Sequence, residues 1–91
     1  MSWVYVIRSD EGFRYIGQTS DLNRRMKEHI IGRNHATKHG SNWILLHCEE
    51  YASRSEAIRR ERWLKTGVGR EWLAAHVAGW SSPRRSSSSG S

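Results

Sequence analysis

Trp3-Val4-Tyr5-Val6-Ile7-Arg8, then Ser9-Asp10-Glu11-Gly12, then Phe13-Arg14-Tyr15-Ile16-Gly17-Gln18: this stretch decides the fold. Both six-residue runs are rich in β-branched and aromatic side chains, which suit a pleated, half-buried surface. The residues between them are turn formers, and Gly12 is free to take a positive φ. The stretch therefore predicts a β-hairpin. Its register stays open: a three-residue loop sets Tyr5 opposite Tyr15, and a four-residue loop sets Tyr5 opposite Ile16. A slip of one residue moves every side chain to the other face.

Outward from the hairpin, Thr19, Ser20 and Asp21 can each accept hydrogen bonds from the free N–H groups of a helix start. Leu22, Met26 and Ile30 follow as one apolar stripe, and Gly32 ends that helix. Residues 32–42 are polar and read as a loop. Trp43 to Tyr51 reads as a third strand. Ser53-Arg54-Ser55-Glu56 is a capping box that opens a helix running to about Lys65. Gly67 and Gly69 are expected to break it, and Arg70 to Val77 forms a third helix. From Gly79 the composition collapses to WSSPRRSSSSGS, too polar to pack a core and expected to be disordered. The order strand, strand, helix, strand, helix, helix predicts an α+β domain over residues 1–78 with a small, mostly antiparallel sheet, then a tail over 79–91.

The 91 residues suffice for one domain with one modest core. Fifteen Lys and Arg against nine Asp and Glu give a net charge of +6 and a pI near 10.3, which favours an anionic partner. Nucleic acid comes first and a membrane surface second. No segment pairs a continuous basic face with a broad aromatic one, so the membrane reading is weak. No run is long and apolar enough to span a bilayer. Met1-Ser2-Trp3-Val4-Tyr5 lacks the basic region and apolar stretch of a signal peptide. The single cysteine, Cys48, forms no disulfide within the chain and no Cys-rich zinc site, which fits a reducing, cytoplasmic setting.

Glu61 is the most informative residue. At about 100° per residue, it falls inside the apolar arc of Ala57, Ile58 and Leu64. A carboxylate there is costly unless paired, protonated or bound to a cation. A structural salt bridge to a nearby arginine and a metal-ligand role compete for it. Arg25 and His29 lie one turn apart beside the first helix's apolar stripe. Each has a bland alternative: a snorkelling arginine and a boundary histidine hydrogen-bonded to backbone. Tyr5 and Tyr15, on adjacent strands, are as compatible with packing as with chemistry. His35 and His39 have a zinc-compatible spacing but sit in a loop without a third ligand. Gly67-Val68-Gly69 is too short for a phosphate loop, and Cys48 reads as a buried thiol.

Together these pieces resemble the GIY-YIG nuclease superfamily. Val4-Tyr5-Val6 is a variant of the first motif in which the tyrosine matches, and Tyr15-Ile16-Gly17 is the second motif intact. Asp21-Leu22-Asn23-Arg24-Arg25-Met26-Lys27-Glu28-His29 is similar to the segment carrying the family's catalytic arginine, with a histidine four residues later. Arg54 to Lys65 is similar to the helix with the metal-binding glutamate, here Glu61. The resemblance covers residues 3 to about 75 and rests on four motifs in the right order.

It implies a three-stranded antiparallel sheet flanked by three helices, DNA as substrate, and one Mg²⁺ or Mn²⁺ on the single carboxylate of Glu61. In the roles it implies, Arg25 grips the phosphate, Tyr5 takes the proton from water, Tyr15 orients the water or the phosphate, and His29 is a second candidate for proton transfer. Where some relatives carry an asparagine, this chain has Gly67-Val68-Gly69-Arg70. Lys27, Arg33, Lys38, Arg59 and Arg70 are candidate phosphate contacts, with Arg84-Arg85 as a weak addition. The expected activity is metal-dependent endonucleolytic hydrolysis of DNA in repair or recombination, with specificity left to a possible protein partner. The competing expectation is a nucleic-acid-binding module that keeps the fold without cutting.

Overall fold

The computed structural model describes residues 1–32 and 37–81. Arg33, His35, the Arg84-Arg85 pair and the tail from residue 82 lie outside the described residues. The elements run β1 (Ser2–Arg8), β2 (Arg14–Thr19), α1 (Leu22–Ile30), β3 (Ile44–Tyr51), α2 (Arg54–Leu64) and α3 (Gly67–His76). They form one three-stranded antiparallel sheet in the order β2-β1-β3, so the fold is α+β with three helices, as the sequence predicts.

β1 is the central strand, and its alternation divides the molecule into two layers. Val4 and Val6 point to one face, where they pack with Ile16, with Ala57 and Leu64 of α2, and with Leu73 of α3. Tyr5 and Ile7 point to the other, against Trp43 and the partly buried Tyr15, Leu22, Met26 and Cys48. One strand with apolar residues at every position from 4 to 7 thus serves both layers.

The hairpin loop spans Ser9 to Phe13, because Arg8 pairs with Arg14. Neither short loop weighed from the sequence is used. Tyr5 faces Gly17 and Tyr15 faces Ile7. The odd loop length still leaves the two tyrosines on one face, as a three-residue loop does. The turn closes through Ser9 N–H to Phe13 O (2.9 Å) and Gly12 N–H to Ser9 O (3.0 Å), with Gly12 at φ 94°.

Three expectations need correction. In α1 the inward stripe is Leu22, Met26 and His29, while Ile30 is 58% exposed because the helix ends there and turns it to solvent. Secondly, Gly67 and Gly69 do not separate the last two helices; they lie inside α3. Thr66 caps that helix, its hydroxyl accepting from Gly69 N–H at 3.1 Å. Gly69 is there because a Cβ would collide with the Trp63 carbonyl and the Leu64 backbone, so α2 and α3 meet backbone to backbone. Finally, packing continues past the change in composition at Gly79. Trp80 is 6% exposed, and Arg14 covers its ring at 4.4 Å while donating to its carbonyl at 2.8 Å.

Candidate active site

Tyr5 leans across β2 onto Gly17. A Cβ on Gly17 would lie 2.6 Å from the Tyr5 hydroxyl and 2.8 Å from the Tyr15 ring, so only glycine lets both rings occupy this face. The rings of Tyr5 and Tyr15 sit 6.1 Å apart. His29, from α1, completes the cluster at 5.5 Å from Tyr5 and 5.3 Å from Tyr15. The Tyr5 hydroxyl and His29 Nε2 are hydrogen-bonded at 2.8 Å, and His29 Nδ1 and the Thr37 hydroxyl at 2.7 Å. The partners of His29 are therefore side chains and not backbone. Thr37 belongs to a polar loop where nothing in the sequence marks it.

Burial depresses the His29 pKa, and the Arg25 charge adds to the effect, so the ring is held neutral at physiological pH. A neutral imidazole donates from one nitrogen and accepts at the other, so the Tyr5–His29–Thr37 chain can relay one proton. Burial, with a smaller push from Tyr15, raises the Tyr5 pKa, which keeps the side chain a phenol. Tyr5 itself is 1% exposed, beneath Tyr15 and α1.

Three charges act on that phenol. Arg25 lowers its pKa, while Glu61 and Glu28 raise it, so groups from α1, α2 and β1 converge here. The Arg25 side chain is 38% exposed and only loosely engaged, with Glu28 at 3.6 Å. It opens into a polar cleft of about 240 Å³ shared with Gln18, Thr19, Ser20 and Arg54. Arg54 was not singled out from sequence, because the capping box explains that segment without it. Glu61 lies on the α2 stripe between Ala57 and Leu64. Its side chain is 19% exposed and pairs with Lys65, at 2.7 Å one turn on.

Lys27, Lys38, Arg59 and Arg70 are exposed, and none lines the Arg25 cleft. Arg59 borders a separate depression beside Tyr51 and Trp63. Residues 1–71 match the family described as the GIY-YIG catalytic domain. The chain belongs to the GIY-YIG family. A UPF0213 protein of Halobacterium salinarum is 41% identical over 66 residues, covering 71% of this chain and 86% of its own length. A UPF0213 protein of Staphylococcus aureus is 34% identical over 65 residues, 70% of this chain and 79% of that one. A UPF0213 protein of Bacillus halodurans, solved by NMR, is 29% identical with a TM-score of 0.51, covering 82% of this chain and 84% of that one. All three are similar in sequence, and the third shares the fold. The chain is thus a small member of a nuclease superfamily.

The GIY-YIG chemistry calls for a divalent ion, and the donor set can be tested against it. Among the described residues no three His, Cys, Asp or Glu side chains are grouped to hold a metal. A lone, partly buried carboxylate fits a hard ion that keeps most of its water, which is the habit of Mg²⁺. Glu61, to which the resemblance assigns the ion, is such a carboxylate, and Lys65 is a cation already seated on it.

Proposed function

We propose that this GIY-YIG chain is a divalent-metal-dependent endonuclease that hydrolyses phosphodiester bonds in DNA, in repair or recombination. The observation that carries the reading is the Tyr5–His29–Thr37 hydrogen-bonded chain, with Arg25 and Glu61 acting on the same phenol. Arg25, with Arg54 in the same cleft, binds the non-bridging oxygens; a guanidinium fork suits phosphate better than an ammonium. Tyr15, half-buried beside His29, orients the attacking water. As the water oxygen bonds to phosphorus, its proton passes to the Tyr5 oxygen and the phenol proton to neutral His29. The bond to the leaving oxygen breaks, and that oxygen is protonated from solvent. Glu61 would hold Mg²⁺ or Mn²⁺ in place of the Lys65 ammonium, and the ion would supply Lewis-acid polarisation of the phosphoryl group.

The basic residues outside the cleft serve as non-specific phosphate contacts, and sequence preference is left to a partner protein. A free cysteine is compatible with work in the cytoplasm. A second reading, a DNA-binding module that does not cut, is favoured by the Glu61–Lys65 contact, which neutralises the only carboxylate assigned to the ion. A cleavage panel separates the two: supercoiled, linear, branched and single-stranded DNA, each with Mg²⁺, Mn²⁺ or EDTA. The nuclease reading expects product in both metals and none in EDTA. Binding without product in any lane selects the second reading.

A further inference from the structure

Beside the tyrosine–histidine cluster lies a pocket of about 280 Å³ whose walls are Phe13, Tyr15 and Trp43, floored by Thr37 and Gly40 with His39 at its margin. Two of these residues belong to the site above: Tyr15 packs on His29, and Thr37 hydrogen-bonds to it. The pocket therefore shares two residues with the candidate active site. Its volume falls just under the range of drug-sized cavities, about 300 Å³ upward, and leaves room for a single ring system.

The walls are held in place before any ligand arrives. The hairpin turn and the segment before β3 are stapled together by Asp10 N–H to Ser41 O (2.9 Å) and Ser41 N–H to Glu11 Oε1 (3.0 Å). Ser41 Oγ and Asn42 Nδ2 add bonds to the Glu11 and Asp10 carboxylates, at 2.5 and 2.6 Å. Hydrogen bonds from Ser41 hold the Glu11 pKa down at about 2, so its part in the clamp persists across the neutral range. Trp43 is fixed by its indole N–H on Thr37 O at 3.0 Å, and its ring lies so close to Gly40 that a Cβ there would fall 2.5 Å away. Arg14, which also lines the pocket, is taken up by Trp80. Phe13 is left 51% exposed at the mouth.

We infer that this pocket receives an unstacked nucleobase of the DNA strand, on the face of the sheet that carries Tyr15. The inference deepens the proposed function and rests on its claim that a DNA strand crosses this face. Aromatic walls accept any base by its π face, and His39 offers one polar group to a base edge. Inside a continuous duplex no base is free to enter. Strands with unpaired bases should therefore bind better than their fully paired counterparts.

Phe13 is the residue to change, because it is half-exposed and the fold does not rest on it. Binding of labelled DNA to the full chain is measured by fluorescence anisotropy in EDTA, for wild type, Phe13→Ala and Phe13→Tyr. The ligands are a single-stranded oligonucleotide, a strand of the same length made entirely of abasic residues, and the matched duplex. Wild type should bind the abasic strand more weakly than the strand with bases. Phe13→Ala should weaken single-strand binding on the order of tenfold, which is what one lost base stack implies. It should also narrow the difference between the two strands, keep its duplex affinity, and be rescued by Phe13→Tyr. Equal weakening on strand and duplex, or equal wild-type affinity for the two strands, overturns the inference, as does a failure to bind DNA at all. If this discrimination is seen but Mg²⁺ yields no cleavage, the pocket stands and the nuclease reading falls.

Discussion

At the scale of single residues, the site is a buried hydrogen-bonded chain and not a set of exposed groups. Tyr5→Phe removes the partner of His29 Nε2 and leaves that nitrogen buried without a bond. Such a loss costs about 1–3 kcal/mol. Thermal melting should therefore fall by several degrees along with activity, and unchanged melting would show that the bond is not made in solution. Acid should act through identifiable groups. Burial alone would raise the Glu49 pKa, but hydrogen bonds from Arg60, His47 and Tyr51 hold it down at about 2. Its pKa is depressed by folding, so its contribution is present above the unfolded value of 4.5 and is lost as pH falls toward 2. Glu11 shifts the same way. His29, also depressed, binds its proton more readily unfolded, so acidification just below 6.5 already weakens the fold. Melting temperature should decline from about pH 6 downward, and Glu49→Gln should flatten the lower part of that curve. An unaltered curve would remove Glu49 from the account. The catalytic candidates were legible as residue types in a pattern. Thr37 was not, since a hydroxyl in a polar loop carries no signal until the chain folds around it, whereas the Glu61–Lys65 pairing is legible in the four-residue spacing on a helix.

At the scale of elements, the glycines explain where sequence reading succeeded and where it failed. Gly17 stands in the hairpin because the Tyr5 ring needs its space, and reading it as part of a strand was correct. Gly69 was read as a break because glycine weakens helices by propensity. Propensity is a weak prior, however, and here close packing of α3 on α2 outweighs it. Gly69→Ala should force the two helices apart. Overpacking costs about 1–3 kcal/mol, which for a domain of this size lowers the melting temperature on the order of 10 °C. Circular dichroism melting checks this, and a stabilised variant would mean the helices do not touch here. The capping box and the third strand are readable, because each is set by local hydrogen-bonding chemistry or by a run of apolar residues, while the start of α1 is readable only to within Thr19, Ser20 and Asp21, of which Asp21 is the cap. The hairpin register was not, because five turn residues closed by Ser9 leave the same sequence signal as three.

At the scale of the whole molecule, charge governs the encounter and geometry governs the reaction. With a net charge of +6, the logarithm of the affinity for DNA should fall linearly with log salt as condensed counterions are released. Anisotropy titrations over a range of salt test this, and an affinity indifferent to salt would remove charge from the account. Among the described residues no helix is long and apolar enough to cross a membrane. The fold offers one side of the sheet to packing by α2 and α3. The other side holds the tyrosine–histidine cluster, with Glu61 reaching it electrostatically from α2. The central claim is that this meeting point hydrolyses DNA with an ion on Glu61. It is tested most directly by Glu61→Gln, assayed for nicking of DNA in Mg²⁺ beside its own melting curve and DNA affinity. The account expects nicking to be abolished, with melting within a few degrees of wild type and binding equal or tighter. A variant that still nicks in Mg²⁺, or one that loses nicking only because it has unfolded, contradicts it.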